Sequence, residues 1–277
     1  MTVIGVLHPG EMGGAVAAAL AAAGHEVLWA SAGRSTDTAR RAGAAGAVAV
    51  GDIDALVARS QVILSICPPH AAGDVAGAVS RFDGVYVDAN AVAPANAADI
   101  AKQVEAAGAD YVDGAIIGPP PRRDGTTRLY LSGASAADIA ALFAGTPLQA
   151  IVVEGAVTAA SALKMAYAGW TKGSAALMLA VQTLAREHGV ADALAEEWEL
   201  SQPGLRERAH TAADSAATKG WRWSGEMRQI AETMDGAGLP AGFHEAAAEI
   251  YDRAPRLPAD ADTERLWNLV LEGLLRR

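Results

Sequence analysis

The sequence predicts an α/β protein with a doubly wound sheet in its first half and an all-helical second half. Short β-like apolar runs alternate with Ala-rich helical runs up to about residue 154, which is typical of βαβ units and a parallel sheet. The run at residues 62–66 is apolar almost throughout, so it suits a strand covered by helices on both faces. Beyond residue 154 the β-like runs stop, and segments rich in Ala, Leu and Met end at Gly or Pro. We therefore expect one domain at residues 1–153 and a helical domain at residues 154–277.

The individual elements follow from the apolar runs and the helix-ending residues. An Ala-rich segment predicts a helix at residues 12–23, and a long apolar segment predicts another at residues 156–187. Five of the six tryptophans lie in the second half, where helix packing is a commoner role than a substrate pocket. Strands are predicted at residues 2–7, 26–30, 47–50, 62–67, 85–88 and 111–115.

Composition and charge disfavour several classes of protein. The 277 residues include 22 Lys and Arg against 32 Asp and Glu, a net charge of −10, which disfavours a general affinity for nucleic-acid phosphates. No apolar run approaches the roughly 18 residues that a membrane span needs. A lone Cys67 permits no intrachain disulfide, and the N-terminus lacks a basic signal segment, so we expect a cytoplasmic protein. No metal site is expected, because metal-ligand spacing is lacking among His8, His25, His70, His188, His210 and His244.

A glycine turn between the first predicted strand and helix predicts a dinucleotide site of the Rossmann type. In the segment His-Pro-Gly-Glu-Met-Gly, Gly10 and Gly13 fit the second and third glycines of the G-x-G-x-x-G fingerprint. Glycine is needed because a pyrophosphate must approach backbone N–H groups at a helix N-terminus, where a Cβ would obstruct it. His8 replaces the first glycine, so the tight turn is made differently here. The expected cofactor-binding residues of this turn are His8, Pro9, Gly10, Glu11 and Met12.

The end of the second predicted strand favours NADP over NAD. An NAD-preferring site has Asp or Glu there, about 20 residues after the glycines, and this sequence has neither. It instead offers Ser31, Arg34 and Ser35, whose guanidinium and hydroxyl groups suit a 2′-phosphate. The alternative is that Arg34 is a solvated charge beside a helix cap rich in Ser and Thr.

Two later turns should face the same cofactor, because ligands bind beyond the carboxyl ends of strands in open α/β sheets. Cys67 and Pro68 follow one predicted strand, and Asn90 follows the next. We expect Cys67 to be a small apolar wall residue and not a nucleophile, because no basic residue stands beside it in sequence.

A stripe of polar residues marks the long predicted helix. Spacings of three or four along an otherwise apolar segment place on one face Ser161, Lys164, Tyr167 or Ala168, Thr171 and Lys172. The stripe can face water, because a lysine often runs its stem along apolar surface and keeps its head solvated. It can also face a pocket, where a partly desolvated lysine passes a proton to the atom being reduced.

These motifs together make the chain similar to the β-hydroxyacid dehydrogenase and 6-phosphogluconate dehydrogenase superfamily, over nearly its whole length. Residues 5–13 resemble the family's cofactor loop G-x-I-G-x-G-x-M-G, with His8 in place of a glycine. Residues 113–120 take the place of its substrate motif D-A-P-V-S-G-G, and Lys164 falls on the lysine of G-x-x-G-x-x-x-K. The second half resembles the DUF1932-type C-terminal domain of one branch, through residues 163–173 and 220–227.

Three departures separate the chain from the ordinary hydroxy-acid enzymes of that superfamily. Ile117 stands where the family has a substrate-binding Ser, and Ala168 stands where it has an Asn. Gly225-Glu226-Met227 stands near the family's K-D-L. The resemblance therefore implies a site formed by Lys164, Tyr167, Lys172 and Glu226, with Lys164 as general acid in reduction and general base in oxidation.

The resemblance also implies an activity and an assembly. It implies hydride transfer between NADPH and a small hydroxy acid or its carbonyl partner, and a homodimer formed through the helical domain. Two alternatives stay open at this point. One is imine reduction on the same scaffold, in which Tyr167 would matter more as a proton donor. The other is an NADPH-binding module without catalysis.

Overall fold

One eight-stranded sheet forms the first half of the chain. The structure is a computed structural model, and it describes residues 1–79, 81–258 and 263–275. The strand order is β3-β2-β1-β4-β5-β6-β7-β8, and every neighbouring pair is parallel except β6 with β7. The strands are β1 (Val3–Val6), β2 (Glu26–Ala30), β3 (Val48–Val50), β4 (Val62–Ser65), β5 (Val85–Asp88), β6 (Asp110–Ile117), β7 (Thr127–Ser132) and β8 (Leu148–Val152).

Helices cover both faces of this sheet, which confirms the predicted doubly wound arrangement. Val16 and Leu20 of the first helix pack with Val87 and Leu129 on one face, while Leu56 and other helical residues pack with Ile63 and Tyr86 on the opposite face. Both faces are buried, so the strands need no polar side and read as apolar runs. The helices of this half are α1 (Glu11–Ala22), α2 (Thr36–Ala44), α3 (Ile53–Val57), α4 (Ala72–Gly77), α5 (Pro94–Ala106) and α6 (Ala136–Ala141), with a 3-10 turn at Pro69–Ala71.

The last two strands of the sheet were not among the sequence-based predictions, and one of them adds an antiparallel pair to the otherwise parallel sheet. A loop at residues 118–126 returns the chain so that β7 pairs antiparallel with β6, with Ile117 opposite Arg128. Along β7, buried Thr127, Leu129 and Leu131 alternate with half-buried Arg128 and Tyr130. This alternation is typical of a strand with one accessible face.

The rest of the chain is helical in the part that the structure describes, as predicted. The helices are α7 (Ala159–Glu187), α8 (Ala191–Ser201), α9 (Leu205–Gly236), α10 (Gly242–Arg253) and α11 (Thr263–Leu274). Residue contacts divide the chain into two compact units, Met1–Lys164 and Met165–Arg277, so α7 begins in the first unit and continues in the second. The predicted boundary between autonomous domains at residues 153 and 154 stays a prediction. Across the described ranges, no helix combines the length and apolar character of a bilayer-spanning segment.

A row of polar side chains crosses the sheet near the carboxyl ends of its central strands. Ser65, Asp88 and Asp113 are partners in register on β4, β5 and β6, and all three are buried. Asp88 Oδ1 accepts a hydrogen bond from the backbone N–H of Asn90 at 3.1 Å, whereas Oδ2 has no hydrogen-bond partner among the described residues. Burial raises the pKa of Asp88 to about 7; the charge of Asp113 adds to this rise, and the Asn90 bonds oppose it.

The buried Asp88 carboxylate predicts a specific dependence of stability on pH. Its pKa in the folded protein lies above the ordinary value of 3.8, so ionisation costs stability as the pH rises from about 4 to about 7. Asp88→Asn keeps one acceptor oxygen and removes the ionisation. We expect its free energy of unfolding to exceed that of the wild type at pH 8 by at most about 4 kcal/mol, and the gain to shrink as the pH falls toward 4.

Denaturant unfolding at several pH values measures this difference. Asp52→Asn is a matched control, because the Asp52 side chain accepts a hydrogen bond from the Ala55 N–H as the exposed cap of α3. The control should lose no more than about 1 kcal/mol at pH 8, because Asn caps a helix about as well as Asp and only the charge at the helix N-terminus is removed. A gain for Asp88→Asn that is equal at pH 8 and near pH 4 would contradict the assignment of a buried, ionising carboxylate.

Candidate active site

The turn between β1 and α1 has the geometry that a dinucleotide pyrophosphate requires. Gly10 is the N-cap residue of α1, and a Cβ built on it would meet no atom within 4 Å. Having no side chain, it leaves the first N–H groups of the helix accessible to an anion. Gly13 has a different role, because a Cβ there would lie 2.2 Å from the carbonyl oxygen of His8. Gly10 therefore leaves room for an anion at the helix N-terminus, whereas Gly13 is needed for the helix to pack against the turn.

His8 forms the turn with its backbone. Its carbonyl oxygen accepts a hydrogen bond from Gly10 N at 2.8 Å, which makes the tight turn that a glycine makes in the fingerprint. Burial lowers the pKa of the His8 imidazole, and the positive charge of Arg34 lowers it further. Arg34, the predicted 2′-phosphate residue, lies in the loop between β2 and α2.

The two serines beside Arg34 already make hydrogen bonds within the first unit. Ser31 Oγ donates to the carbonyl oxygen of Val50 at 2.9 Å. Ser35 is the N-cap residue of α2, and its side chain accepts a hydrogen bond from Thr38 N at 3.2 Å. The helix cap that the sequence analysis kept as an alternative is therefore present. Phosphate oxygens accept hydrogen bonds, so a serine must donate its O–H to bind them. Ser35 accepts from Thr38 N and can still donate, whereas Ser31 would have to release the Val50 carbonyl first.

The turns after β4 and β5 are joined by one buried side chain. Asn90 Oδ1 accepts a hydrogen bond from Cys67 N at 2.5 Å, and its amide group donates to Ser65 Oγ at 3.1 Å and to Asp88. Burial raises the pKa of the Cys67 thiol to about 11, which agrees with an unreactive wall residue. Pro68 precedes the 3-10 turn and is its N-cap residue. Asn90 therefore braces the strand ends, a role that its position in sequence did not reveal.

The start of α7 is fixed by Asp113 of β6. Ser161 donates twice to this carboxylate, from its backbone N–H to Oδ2 at 2.7 Å and from its hydroxyl to Oδ1 at 2.6 Å. Ser132 of β7 adds a second contact, because its Oγ accepts a hydrogen bond from Ala160 N at 3.0 Å. These bonds satisfy N–H groups that a helix start leaves without a partner, and α7 begins at Ala159, three residues later than predicted. Burial raises the pKa of Asp113 to about 6, against the lowering effect of the Ser161 and Ser132 bonds.

Lys164 lies one turn after Ser161, and its amine is held against β6. The Nζ atom donates a hydrogen bond to the carbonyl oxygen of Ile116 at 2.9 Å, and the residue is half-buried. The pairing of β5 with β6 ends at Asp113, so residues 114–117 extend beyond the carboxyl end of β5. Ligands of open α/β sheets bind in this region. Lys164 is therefore half-buried and its amine is held by the protein, unlike a lysine whose ammonium group is fully solvated.

The remaining predicted catalytic residues lie in the second unit. Tyr167 has an exposed side chain, whereas Lys172 and the buried Glu226 form an ion pair. The Lys172 ammonium also lies 5.2 Å from the ring centroid of Trp223, a cation–π contact. Tyr251 donates a hydrogen bond to the carbonyl oxygen of Lys172 at 2.7 Å.

Sequence reasoning missed some members of these clusters. Trp223 and Tyr251 beside the ion pair, and Ser132 beside Asp113, were not among the predicted site residues. The one signal for Ser132 was a polar residue at the end of an apolar alternation. Within the part of the chain that the structure describes, no group of three or more His, Cys, Asp or Glu side chains could hold a metal ion.

Comparison with known families identifies both halves of the chain. Residues 2–143, about half of the sequence, match the family described as the NAD binding domain of 6-phosphogluconate dehydrogenase. Residues 185–254 match a domain of unknown function, DUF1932. No curated protein sequence matches the chain.

Solved structures share the fold over nearly the whole chain. A conserved hypothetical protein from Sinorhizobium meliloti has a TM-score of 0.76 and 23% identity, with 99% of this chain and 97% of that chain covered. A Mycobacterium tuberculosis 3-hydroxyisobutyrate dehydrogenase has a TM-score of 0.70 and 18% identity, with 97% of this chain and 98% of that chain covered. An Aspergillus terreus reductive aminase has a TM-score of 0.58 and 19% identity, with 91% of this chain and 93% of that chain covered. The same enzyme was also solved in complex with NADPH. These likenesses describe a scaffold common to hydroxyacid dehydrogenases and reductive aminases.

The family match agrees with the geometry of the β1–α1 turn, where Gly10 leaves the N-terminus of α1 accessible and Gly13, in the first turn of the helix, has no room for a side chain. The chain therefore belongs to the family of the NAD binding domain of 6-phosphogluconate dehydrogenase, and by this membership it is an NAD(P)-dependent oxidoreductase.

Proposed function

We propose that the chain transfers a hydride between NADPH and a small hydroxy acid or its carbonyl partner, with Lys164 as general acid and base. The observation that supports this proposal is the position of the Lys164 amine, held at the Ile116 carbonyl beyond the end of β5. When bound, NADPH supplies the hydride. Reduction of a carbonyl also needs a proton at the oxygen, and Lys164 Nζ would hold that proton and give it up.

The residues around the glycine turn would hold the cofactor. The N-terminal N–H groups of α1 bind the pyrophosphate, with His8, Pro9, Gly10, Glu11 and Met12 forming the turn. Ser31, Arg34 and Ser35 would bind the 2′-phosphate of NADP, since a guanidinium matches a phosphate with two parallel hydrogen bonds. Beyond the strand ends, the wall of the nicotinamide site would consist of Cys67, Pro68 and Asn90.

Three residues of α7 and α9 complete the proposed set. Tyr167 follows Lys164 by three positions on the same helix and has an exposed phenol, so it is our candidate for a second proton donor. Lys172 and Glu226 would keep α7 oriented through their ion pair and present a polar surface to the substrate. Together with Lys164, these residues are the proposed catalytic set.

Imine reduction is the second candidate for the same scaffold. The fold shared with a reductive aminase supports it, and so does the exposed Tyr167, which could protonate a nitrogen. A substrate panel that includes both carbonyl compounds and preformed imines distinguishes the two.

We also propose that two copies assemble through the helical unit. A groove of about 700 Å³ in that unit is lined almost entirely by apolar residues, among them Trp170, Leu177 and Phe243. Trp170 is 72% and Phe243 is 77% exposed, which is unusual for large apolar side chains that have no partner surface. A second copy of the same helices would remove this apolar area from water.

Replacement of Lys164 tests the catalytic proposal. We expect Lys164→Ala to lower kcat by about 10² to 10⁴, the usual contribution of a positioned acid or base, while the Kd for NADPH stays within about twofold. Steady-state turnover and fluorescence titration measure these quantities. Lys102→Ala is the matched control, because Lys102 is exposed and paired with Asp99 on α5. Undiminished turnover by Lys164→Ala would refute the role of this lysine.

Replacement of Arg34 tests the cofactor preference. We expect the wild type to bind NADPH more tightly than NADH, because the guanidinium has no phosphate to bind in NADH. Arg34→Ala should weaken NADPH binding by about 10- to 100-fold and leave NADH binding nearly unchanged. Quenching of tryptophan fluorescence gives the dissociation constants. Arg40→Ala, at an exposed arginine paired with Asp37, is the control. If the two nucleotides bind the wild type equally well, NADP preference is wrong.

A charge placed in the apolar groove tests the dimer. Leu177→Glu should convert the wild-type dimer to a monomer, because an ionised carboxylate would be buried in the apolar contact. Sedimentation velocity gives the mass of each species. Leu200→Glu controls for the substitution itself, since Leu200 is 81% exposed on α8 outside the groove. A monomeric wild type would rule out the assembly.

A further inference from the structure

The β6–β7 pair arranges polar residues on one face of the sheet. Residues directly opposite each other in an antiparallel pair project from the same face. Asp113 is opposite Ser132, and Ile117 is opposite Arg128. Side chains alternate along a strand, so the residues of β7 that share a face with Asp113 are Arg128, Tyr130 and Ser132.

This face is the one on which α7 begins. Asp113 and Ser132 accept hydrogen bonds from the first turn of the helix, and Lys164 follows one turn later. Lys164 donates to the carbonyl oxygen of Ile116. Ile116 directly precedes Ile117, the residue opposite Arg128. Opposed Cα atoms in such a pair lie about 4.5 to 5.5 Å apart. Arg128 therefore starts close to the place where the Lys164 amine is held.

Arg128 adds a positive charge near this place. The Arg128 side chain has no hydrogen bond or ion pair with any residue that the structure describes, and Arg128 is half-buried. Asp113 lies four positions along β6 from Ile117, a Cα separation of roughly 13 Å, and both of its carboxylate oxygens accept hydrogen bonds from Ser161. The only acidic residue in the connecting loop, Asp124, is exposed.

An arginine side chain without a carboxylate partner is suited to an anionic ligand. Arginine presents its N–H groups in a planar fork that matches the two oxygens of a carboxylate. Arg128 is half-buried as a residue, and wherever water is excluded around a bound ligand the attraction between the two charges is screened less. An uncharged ligand offers the guanidinium no opposite charge.

We propose that Arg128 binds a carboxylate of the substrate beside Lys164, so that the enzyme selects small acids over uncharged alcohols and carbonyl compounds. This proposal rests on the proposed function, in which the reacting oxygen of the substrate lies at the Lys164 amine. It names a specificity-determining residue on β7, a strand outside the glycine turn and outside the helix of Lys164.

The test compares a carboxylate with its uncharged counterpart. Purified full-length protein, with and without NADPH, is titrated calorimetrically with 3-hydroxypropionate and with 3-hydroxypropanamide. We expect the wild type to bind the acid more tightly than the amide. Arg128→Gln should weaken binding of the acid by about 10- to 100-fold and leave the amide unchanged. Arg128→Lys should recover part of the affinity, because it restores the charge but not the fork.

Arg123→Gln is the matched control, at an exposed arginine of the loop before β7, and it should bind both ligands as the wild type does. Equal binding of acid and amide by the wild type overturns the proposal, and so does unchanged acid binding by Arg128→Gln. Lys164→Ala separates this result from the proposed function, because it should lose turnover and keep the preference for the acid.

Discussion

The two hydrogen bonds from Ser161 to Asp113 fix the place where α7 starts, and the position of Lys164 depends on them. Asp113 is fully buried, and burial raises its pKa to about 6, so the carboxylate is costly to keep charged. A helix start offers N–H groups and a positive dipole end that offset this cost. Because the helix is rigid, the register set at Ser161 is transmitted to Lys164 one turn later.

Helix α7 is held by a different kind of contact in each compact unit. In the first unit the contact is the Asp113 cap at the helix start, and in the second it is the ion pair of Lys172 with the buried Glu226. Trp223 and Tyr251 surround the second contact, so the pair is partly shielded from water. Removal of one partner from such a pair leaves a buried charge uncompensated, which is more damaging than removal of both. Each unit thus orients its own part of the helix.

The sequence predicted the elements whose signals are local. The bounds of β2 and β5 match the predictions, because turn residues follow their apolar runs. The antiparallel β7 was not predicted, although Leu129 and Leu131 alternate with Arg128 and Tyr130 in the sequence as they do in the burial of the strand. Ser35 could be predicted as a helix cap. The hydrogen bonds of Asn90 with Cys67 and Ser65 could not, because they join residues 23 and 25 positions apart and no spacing rule predicts such a contact. The site was therefore predictable in its residue types and not in its cross-strand bonds.

The two lysines of α7 differ in what their partners do to the charge. Lys172 lies beside a carboxylate, which stabilises the protonated ammonium and disfavours release of a proton. The oxygen of Ile116 that accepts from Lys164 is a neutral carbonyl, so it orients the amine without adding a formal negative charge. A residue that acts as general acid in reduction and as general base in oxidation must release its proton in one direction and recover it in the other. In the proposed mechanism Lys164 makes this exchange, and the ion pair of Lys172 with Glu226 keeps α7 oriented.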